Sequence, residues 1–216
     1  MKPQYLAEAQ AELARREPFF ADIFQTYTDL AWSTDTDYFA ALVRKIVAQQ
    51  LSTAAARTVH GRVVTHLGGA ITVAAVQSTT SEGLRCCGLS RTKVKYILGL
   101  AEHVADGRLD LAQLPHLDDE TVVDKLTQVP GLGRWSAEMF LMFTLGRPDV
   151  FSMGDLALKH AMAQAYNKPV ETFTQWGPKV ADGWRPWRTV ACRYLYAWLD
   201  GERVKLKAAH KADAPS

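Results

Sequence analysis

Leu126-Thr-Gln-Val-Pro-Gly-Leu-Gly-Arg-Trp-Ser-Ala-Glu-Met-Phe-Leu-Met-Phe-Thr-Leu-Gly-Arg-Pro-Asp-Val-Phe-Ser-Met-Gly-Asp155-Leu-Ala-Leu-Lys159 is the stretch around which the rest of this chain is organised. Pro130-Gly131-Leu132-Gly133 separates two segments of helical period, and glycine permits the positive φ and close backbone approach that a tight hairpin beside a ligand requires. The second helix is expected to start near Gly133 and to run to about Leu145. Its first N–H groups have no partner within the helix and can bind a phosphate oxygen. Taken alone, Pro-Gly-x-Gly is weak evidence, because most such turns only connect helices. The continuation through Arg134, Trp135-Ser136-Ala137 and the Arg147-Pro148-Asp149 turn to Asp155 is what adds weight.

Working outward, a chain of 216 residues that is 48% hydrophobic and 22% charged can bury a substantial core, in one domain or two small lobes. No apolar run approaches the roughly 20 residues needed to cross a bilayer, and Met1-Lys-Pro-Gln-Tyr-Leu-Ala-Glu lacks a signal-peptide core. An intracellular, cytoplasmic protein is expected. The formal charge of +2 does not suggest nucleic acid by itself, so any such site must come from local clustering of the 25 Lys and Arg. Cys86, Cys87 and Cys192 make neither a disulfide framework nor a metal site by spacing, and adjacent Cys86-Cys87 read as buried small hydrophobes. The six histidines show no ligand spacing, and no zinc motif, P-loop or dinucleotide fingerprint occurs.

Along the chain, residues 1–16 read as a polar Ala- and Glu-rich helical arm with little to bury. Phe19, Phe20, Ile23, Phe24 and Tyr27 supply the apolar face of the next helix. Phe39, Leu42, Val43, Ile46 and Val47 follow the spacing of a core-facing helix that ends in Gln49-Gln50-Leu51-Ser52. Ser52 caps the helix that follows through Ala56, Val59, Val63 and Leu67. Short helices cover 71–87, another runs from Ser90 to Val104, and Asp118 caps the first arm of the hairpin. Lys93 and Lys95 read as a solvated face, with a phosphate contact as the lesser reading. Trp184 to Trp198 reads as a final aromatic helix, and 204–216 as a tail. With no strand alternation, the chain is expected to be all-α: a two-lobed helical bundle with one lobe of about 36–145 and the other of about 17–35 plus 146–203, the active cleft lying between.

Val129-Pro-Gly-Leu-Gly-Arg-Trp135, Asp149-Val150 with Asp155-Leu-Ala-Leu-Lys159, and Ile46-Val-Ala-Gln-Gln-Leu-Ser52 together resemble the helix-hairpin-helix DNA glycosylases with a Gly/Pro-rich loop and a following Asp, from about residue 17 to about 200. Within that superfamily the chain looks most like the 3-methyladenine DNA glycosylase II branch of base excision repair. The resemblance implies a double-stranded DNA partner carrying alkylated bases and an enzyme acting as a monomer. Several relatives hold an iron-sulfur cluster through four cysteines, for which this chain lacks the ligands.

Carried over residue by residue, Asp155 becomes the carboxylate that stabilises the oxocarbenium-like sugar and orients or deprotonates water. A helix N-cap without catalytic duty is its plain alternative. Trp135 stands where bifunctional relatives carry a Schiff-base lysine, which implies a monofunctional enzyme that leaves an abasic site without cutting the strand. Trp135 and Tyr196 are pocket candidates by cation-π contact with cationic N3- or N7-alkylated purines, with Met139 and Leu156 at positions where several relatives carry aromatics. Leu51 reads as the wedge that fills the gap left by a flipped base, with Gln50 and Ser52 as hydrogen-bonding neighbours. Backbone N–H groups near Gly131, Gly133 and Arg134 are expected to hold phosphates, with Arg134 and Lys159 as electrostatic helpers. No cofactor is required, though the resemblance implies a monovalent cation, Na+ or K+, on the carbonyls of Thr127, Val129 and Leu132. Two rivals stay open: a non-enzymatic DNA-binding module, and a glycosylase for oxidised or deaminated bases.

Overall fold

The structure, a computed structural model, describes residues 2–32 and 34–212, and at 203 and from 205 onward only the course of the backbone. It is helical throughout, with no strand among the described residues. Among the described residues twelve α-helices follow one another: α1 (Leu6–Arg16), α2 (Phe19–Thr26), α3 (Tyr38–Ala48), α4 (Thr53–His66), α5 (Val73–Ser78), α6 (Ser81–Cys86), α7 (Arg91–Ala105), α8 (Asp119–Thr127), α9 (Arg134–Phe140), α10 (Leu156–Ala165), α11 (Phe173–Asp182) and α12 (Arg188–Ala212). A π-helical turn, Leu141–Leu145, continues α9.

Start signals set most of these boundaries. Asp37, Ser52, Thr72, Thr80, Ser90, Asp118 and Asp155 each precede a helix and accept a hydrogen bond from the backbone N–H three residues on. Such a cap satisfies a donor that the helix leaves orphaned and contributes about 1 kcal/mol. Ser52 and Asp118 therefore act as their sequence contexts predict.

The chain divides into two compact units, Thr34–Leu145 and Met1–Ser33 with Gly146–Ser216. The first contains α3 to α9. Its core is the apolar stripe of α3, with Leu42, Val43, Ile46 and Val47 fully buried, against Ile97, Leu100 and Ala101 of α7 and Leu126 of α8. The second contains α1, α2 and α10 to α12, and its core is aromatic: Phe20 meets Trp184 edge-on at 5.8 Å, and Phe24 meets Tyr194 at 4.6 Å.

Three expectations are corrected. The segment 1–16 is no loose arm: Leu6, Ala9 and Leu13 of α1 are buried, and Gln10 Nε2 donates to the Tyr194 hydroxyl at 2.8 Å. Leu6, Ala9 and Leu13 recur at helical spacing on one face, and the charged residues between them mask that stripe in the sequence. The last helix starts at Arg188 rather than near Trp184, and it continues through most of the expected tail to Ala212. Cys87 is buried, but its neighbour Cys86 is exposed because consecutive helical residues point about 100° apart.

Candidate functional site

In the unit Thr34–Leu145, α8 and α9 are joined by the sharp Gln128-Val129-Pro130-Gly131-Leu132-Gly133 turn. Gly131 has φ +92°, and a Cβ built there would lie 2.2 Å from the ring of Tyr96. Only glycine meets both the backbone and the space requirement. Gly133 is the N-cap of α9, and no side chain caps it. Seven other helices have their first donors satisfied by a side chain, whereas the start of α9 presents its N–H groups at the hairpin.

Arg134, expected to help hold phosphate, is engaged otherwise. Its guanidinium makes a two-pronged pair with Glu120 at 2.6 and 3.0 Å, and its Nε donates to Glu138 at 3.0 Å. Hydrogen bonding to Arg134 holds the Glu120 carboxyl below its ordinary range. The side chain therefore braces α8 against α9 instead of projecting an unbalanced charge, and the phosphate reading shifts to the backbone N–H.

The Gln49-Gln50-Leu51-Ser52 loop belongs to the same unit. Gln50 has φ +57°, rare for a residue with a side chain. The kink leaves Leu51 39% exposed at the tip, and Ser52 Oγ then accepts from Ala55 N at 3.3 Å to start α4. Two contacts fix the loop. Lys93 Nζ donates to the carbonyls of Val47 (2.7 Å) and Gln49 (2.6 Å), closing the C-terminal end of α3. Gln49 Nε2 donates to the Gly131 carbonyl at 2.8 Å, so loop and hairpin are held together. Lys93 is thus a structural clasp and not a solvated residue, and burial pushes its ammonium pKa down.

Asp155 lies in the other unit. It is 6% exposed, and its Oδ1 accepts from Leu158 N at 2.7 Å as the N-cap of α10. The strap leading to it is anchored on α12. Arg188 Nε donates to Asp149 Oδ1 at 2.7 Å, Arg185 Nη1 to Asp149 Oδ2 at 2.8 Å, and Val150 N to Thr189 Oγ1 at 3.0 Å. Asp149 is consumed by two guanidiniums, those of Arg185 and Arg188. Asp155 is also close enough to fully buried Cys192 to raise the thiol pKa, an effect in which burial is the larger cause.

The expected pocket residues differ in exposure. Among the described residues the large hydrophobics left exposed are Leu51, Trp135 (42%), Leu156 (66%) and Val204, so three of these four are residues singled out from the sequence. Met139 is buried at 4% and Tyr196 is half-buried. Lys159 places its Nζ over the Phe173 ring at 5.8 Å, and not against an acid of its own helix face. At the hairpin, the Val129 carbonyl accepts from Leu132 N at 3.0 Å. Carbonyl oxygens of this kind suit a hard monovalent cation.

Residues 43–172 match the family described as HhH-GPD superfamily base excision DNA repair protein. The chain belongs to this superfamily. A DNA-3-methyladenine glycosidase of Bacillus halodurans, known by crystal structure, is 36% identical with a TM-score of 0.71, over 87% of this chain and 88% of that one. DNA-3-methyladenine glycosylase 1 of Schizosaccharomyces pombe is 29% identical over 73% of this chain and 71% of its own length. The DNA-3-methyladenine glycosylase of Saccharomyces cerevisiae is 33% identical over 61% of this chain and 48% of its own. The chain spans 64% of the length of a further relative, from Bacillus subtilis.

In this HhH-GPD chain the structure brings together, within one unit, the hairpin glycines, Trp135 and the Gln50-Leu51-Ser52 loop; Asp155, Leu156, Lys159 and Tyr196 share the other. Sequence reasoning missed the residues that hold these in place. Gln49 stands beside the expected wedge without a role, and nothing in the sequence assigns one to Tyr96 or Arg188. Only the close approach to Gly131 and the Asp149 turn reveal them. Among the described residues no three His, Cys, Asp or Glu are grouped to hold a metal ion, and no helix is long and apolar enough to cross a membrane.

Proposed function

We propose that this protein is a monofunctional DNA glycosylase that hydrolyses the N-glycosidic bond of alkylated purines in duplex DNA, 3-methyladenine first and 7-methylguanine with it, by flipping the nucleotide out and leaving an abasic site. The observation that carries the reading is the set of exposed apolar side chains. A fold that buries large hydrophobics leaves Leu51, Trp135 and Leu156 in water, on the kinked loop, on the hairpin helix and next to the acid. Exposed large apolar groups at sites also carrying polar anchors mark ligand surfaces. Relatives named as 3-methyladenine glycosylases supply the substrate class.

The chemistry follows from the residues. The backbone N–H groups at the start of α9 hold a phosphate, and a monovalent cation on the Thr127, Val129 and Leu132 carbonyls would add positive potential there. Leu51 enters the stack and occupies the vacated space. Trp135 stacks on the extruded base, whose positive charge favours an aromatic face by about 0.5 to 2 kcal/mol. Asp155 stabilises the charge that develops on the sugar and orients the water. Its cap bond from Leu158 N holds one oxygen in place, so capping and catalysis are compatible duties of one side chain. An indole at position 135 cannot form a Schiff base, and borohydride should trap no protein–DNA adduct.

The cap also supports the rival, a DNA-binding module in which Asp155 only starts α10. Release of free base from alkylated duplex DNA separates the two. Wild-type protein should release 3-methyladenine, and Asp155→Asn should bind DNA equally well yet release it about 10² to 10⁴ times more slowly. A wild-type protein that releases no base would leave the module reading standing, and equal release by Asp155→Asn would remove Asp155 from the chemistry.

A further inference from the structure

The Gln49-Gln50-Leu51-Ser52 loop and the hairpin turn rest on the same helix. Lys93 of α7 holds the carbonyls of Val47 and Gln49, and Tyr96, one turn further along α7, packs its ring against Gly131. Gln49 closes the third side of this brace, because its Nε2 donates to the Gly131 carbonyl at 2.8 Å. The loop's anchors differ in what they fix. Lys93 ties it to α7 and Ser52 ties it to the start of α4, whereas Gln49 ties it to the hairpin. Gln50, between Gln49 and Leu51, has φ +57°, a left-handed conformation that costs a residue with a side chain about 1 to 2 kcal/mol and persists where its surroundings hold it. Gln49 is half-buried, so water competes little for its amide.

Resting on the glycosylase reading above, we infer that Gln49 is a positioning residue whose amide sets the register between the phosphate grip of the hairpin and the wedge Leu51. Gln49 itself touches no nucleotide in this role and acts through Leu51, two residues along the same short loop. Bases lie about 3.4 Å apart along each strand, so an error of about 1 Å between wedge and gripped phosphate aims the leucine at a base edge instead of at the gap. Misplacement of that size costs on the order of 10²-fold in rate. Without the Gln49 bond the loop keeps its Lys93 and Ser52 contacts and stays folded, but its tip is no longer indexed to the hairpin. DNA binding is then retained and extrusion is slowed. The pairing also gives glutamine its chemical reason. A carbonyl acceptor needs an N–H donor, and a glutamate here would set an anionic oxygen against the Gly131 carbonyl.

The test measures single-turnover base release by the full chain from two duplexes that carry one 3-methyladenine, paired with thymine in the first and facing an abasic nucleotide in the second, where extrusion costs least. Gln49→Leu, which nearly keeps the volume and removes the donor, should slow release from the paired duplex about 10- to 100-fold at saturating protein, with affinity changed less than about threefold. On the unpaired duplex it should approach the wild-type rate. Gln49→Glu should show the same pattern. Leu51→Ala should show it too, and Gln49→Leu added to Leu51→Ala should slow release little further, as expected of a residue that acts through another. Both duplexes are run on one protein sample, so a partly unfolded variant lowers the two rates alike. An equal loss on the two duplexes overturns the inference, as does full activity of Gln49→Leu on the paired duplex or a loss that multiplies with that of Leu51→Ala. Wild-type protein that releases no base from either duplex removes the glycosylase reading, and the inference with it.

Discussion

Asp155 shows how one residue can satisfy two demands. Its carboxylate accepts from Leu158 N, the geometry of an N-cap, and asparagine caps a helix about as well as aspartate. Asp155→Asn should therefore unfold within about 0.5 kcal/mol of wild type while losing base release, whereas Asp155→Ala should also lose about 1 kcal/mol of stability. Denaturant titration alongside a base-release assay checks the pair. Gly131 is more demanding. With φ +92° and Tyr96 at 2.2 Å from a built Cβ, Gly131→Ala should cost about 2 to 4 kcal/mol and weaken DNA binding. Tyr96→Ala added to it should recover the part due to collision. His60 provides a pH signature. Its pKa is lowered in the folded protein, so between that value and the unfolded one near 6.5 the unfolded chain binds the proton first. Stability from this residue is present above pH 6.5 and falls as pH drops through that window. His60→Gln should flatten the acid side of a plot of melting temperature against pH.

At the scale of elements, loops gain their precision from helices that are not themselves at the site. Lys93, near the start of α7, closes the carbonyl end of α3, and Gln49 joins that end to the hairpin. Lys93→Met should leave the kinked loop less fixed, and its signature should be slower base release from duplex with little change in overall helicity by circular dichroism. On the other unit, Arg188 and Arg185 hold Asp149 and thereby the strap that ends at Asp155. Breaking a paired, half-buried carboxylate–guanidinium contact costs about 1.5 to 3 kcal/mol, so Arg188→Met should lower stability and base release together, unlike Asp155→Asn.

Across the whole molecule, the unit built from both ends of the chain depends on α1. Leu13 is fully buried and Glu12 accepts from the Trp187 indole at 3.1 Å, a contact 175 residues apart in sequence. Leu13→Ala should cost about 2 to 5 kcal/mol in denaturant unfolding, which an unpacked arm would not show.

The amino-acid order by itself determined the helical class, the caps at Ser52 and Asp118, the hairpin and the family, because these depend on local spacing, on glycine and on short-range hydrogen bonds. It also pointed to Leu51, Trp135 and Leu156, whose surroundings carry the family pattern, although it could not tell that they would be exposed. Only the tertiary structure decided that Arg134 braces two helices, that Lys93 clasps α3, that α1 is core and that Met139 is buried. Those outcomes depend on which charges and faces meet across long separations in sequence, and no local period or motif encodes such meetings.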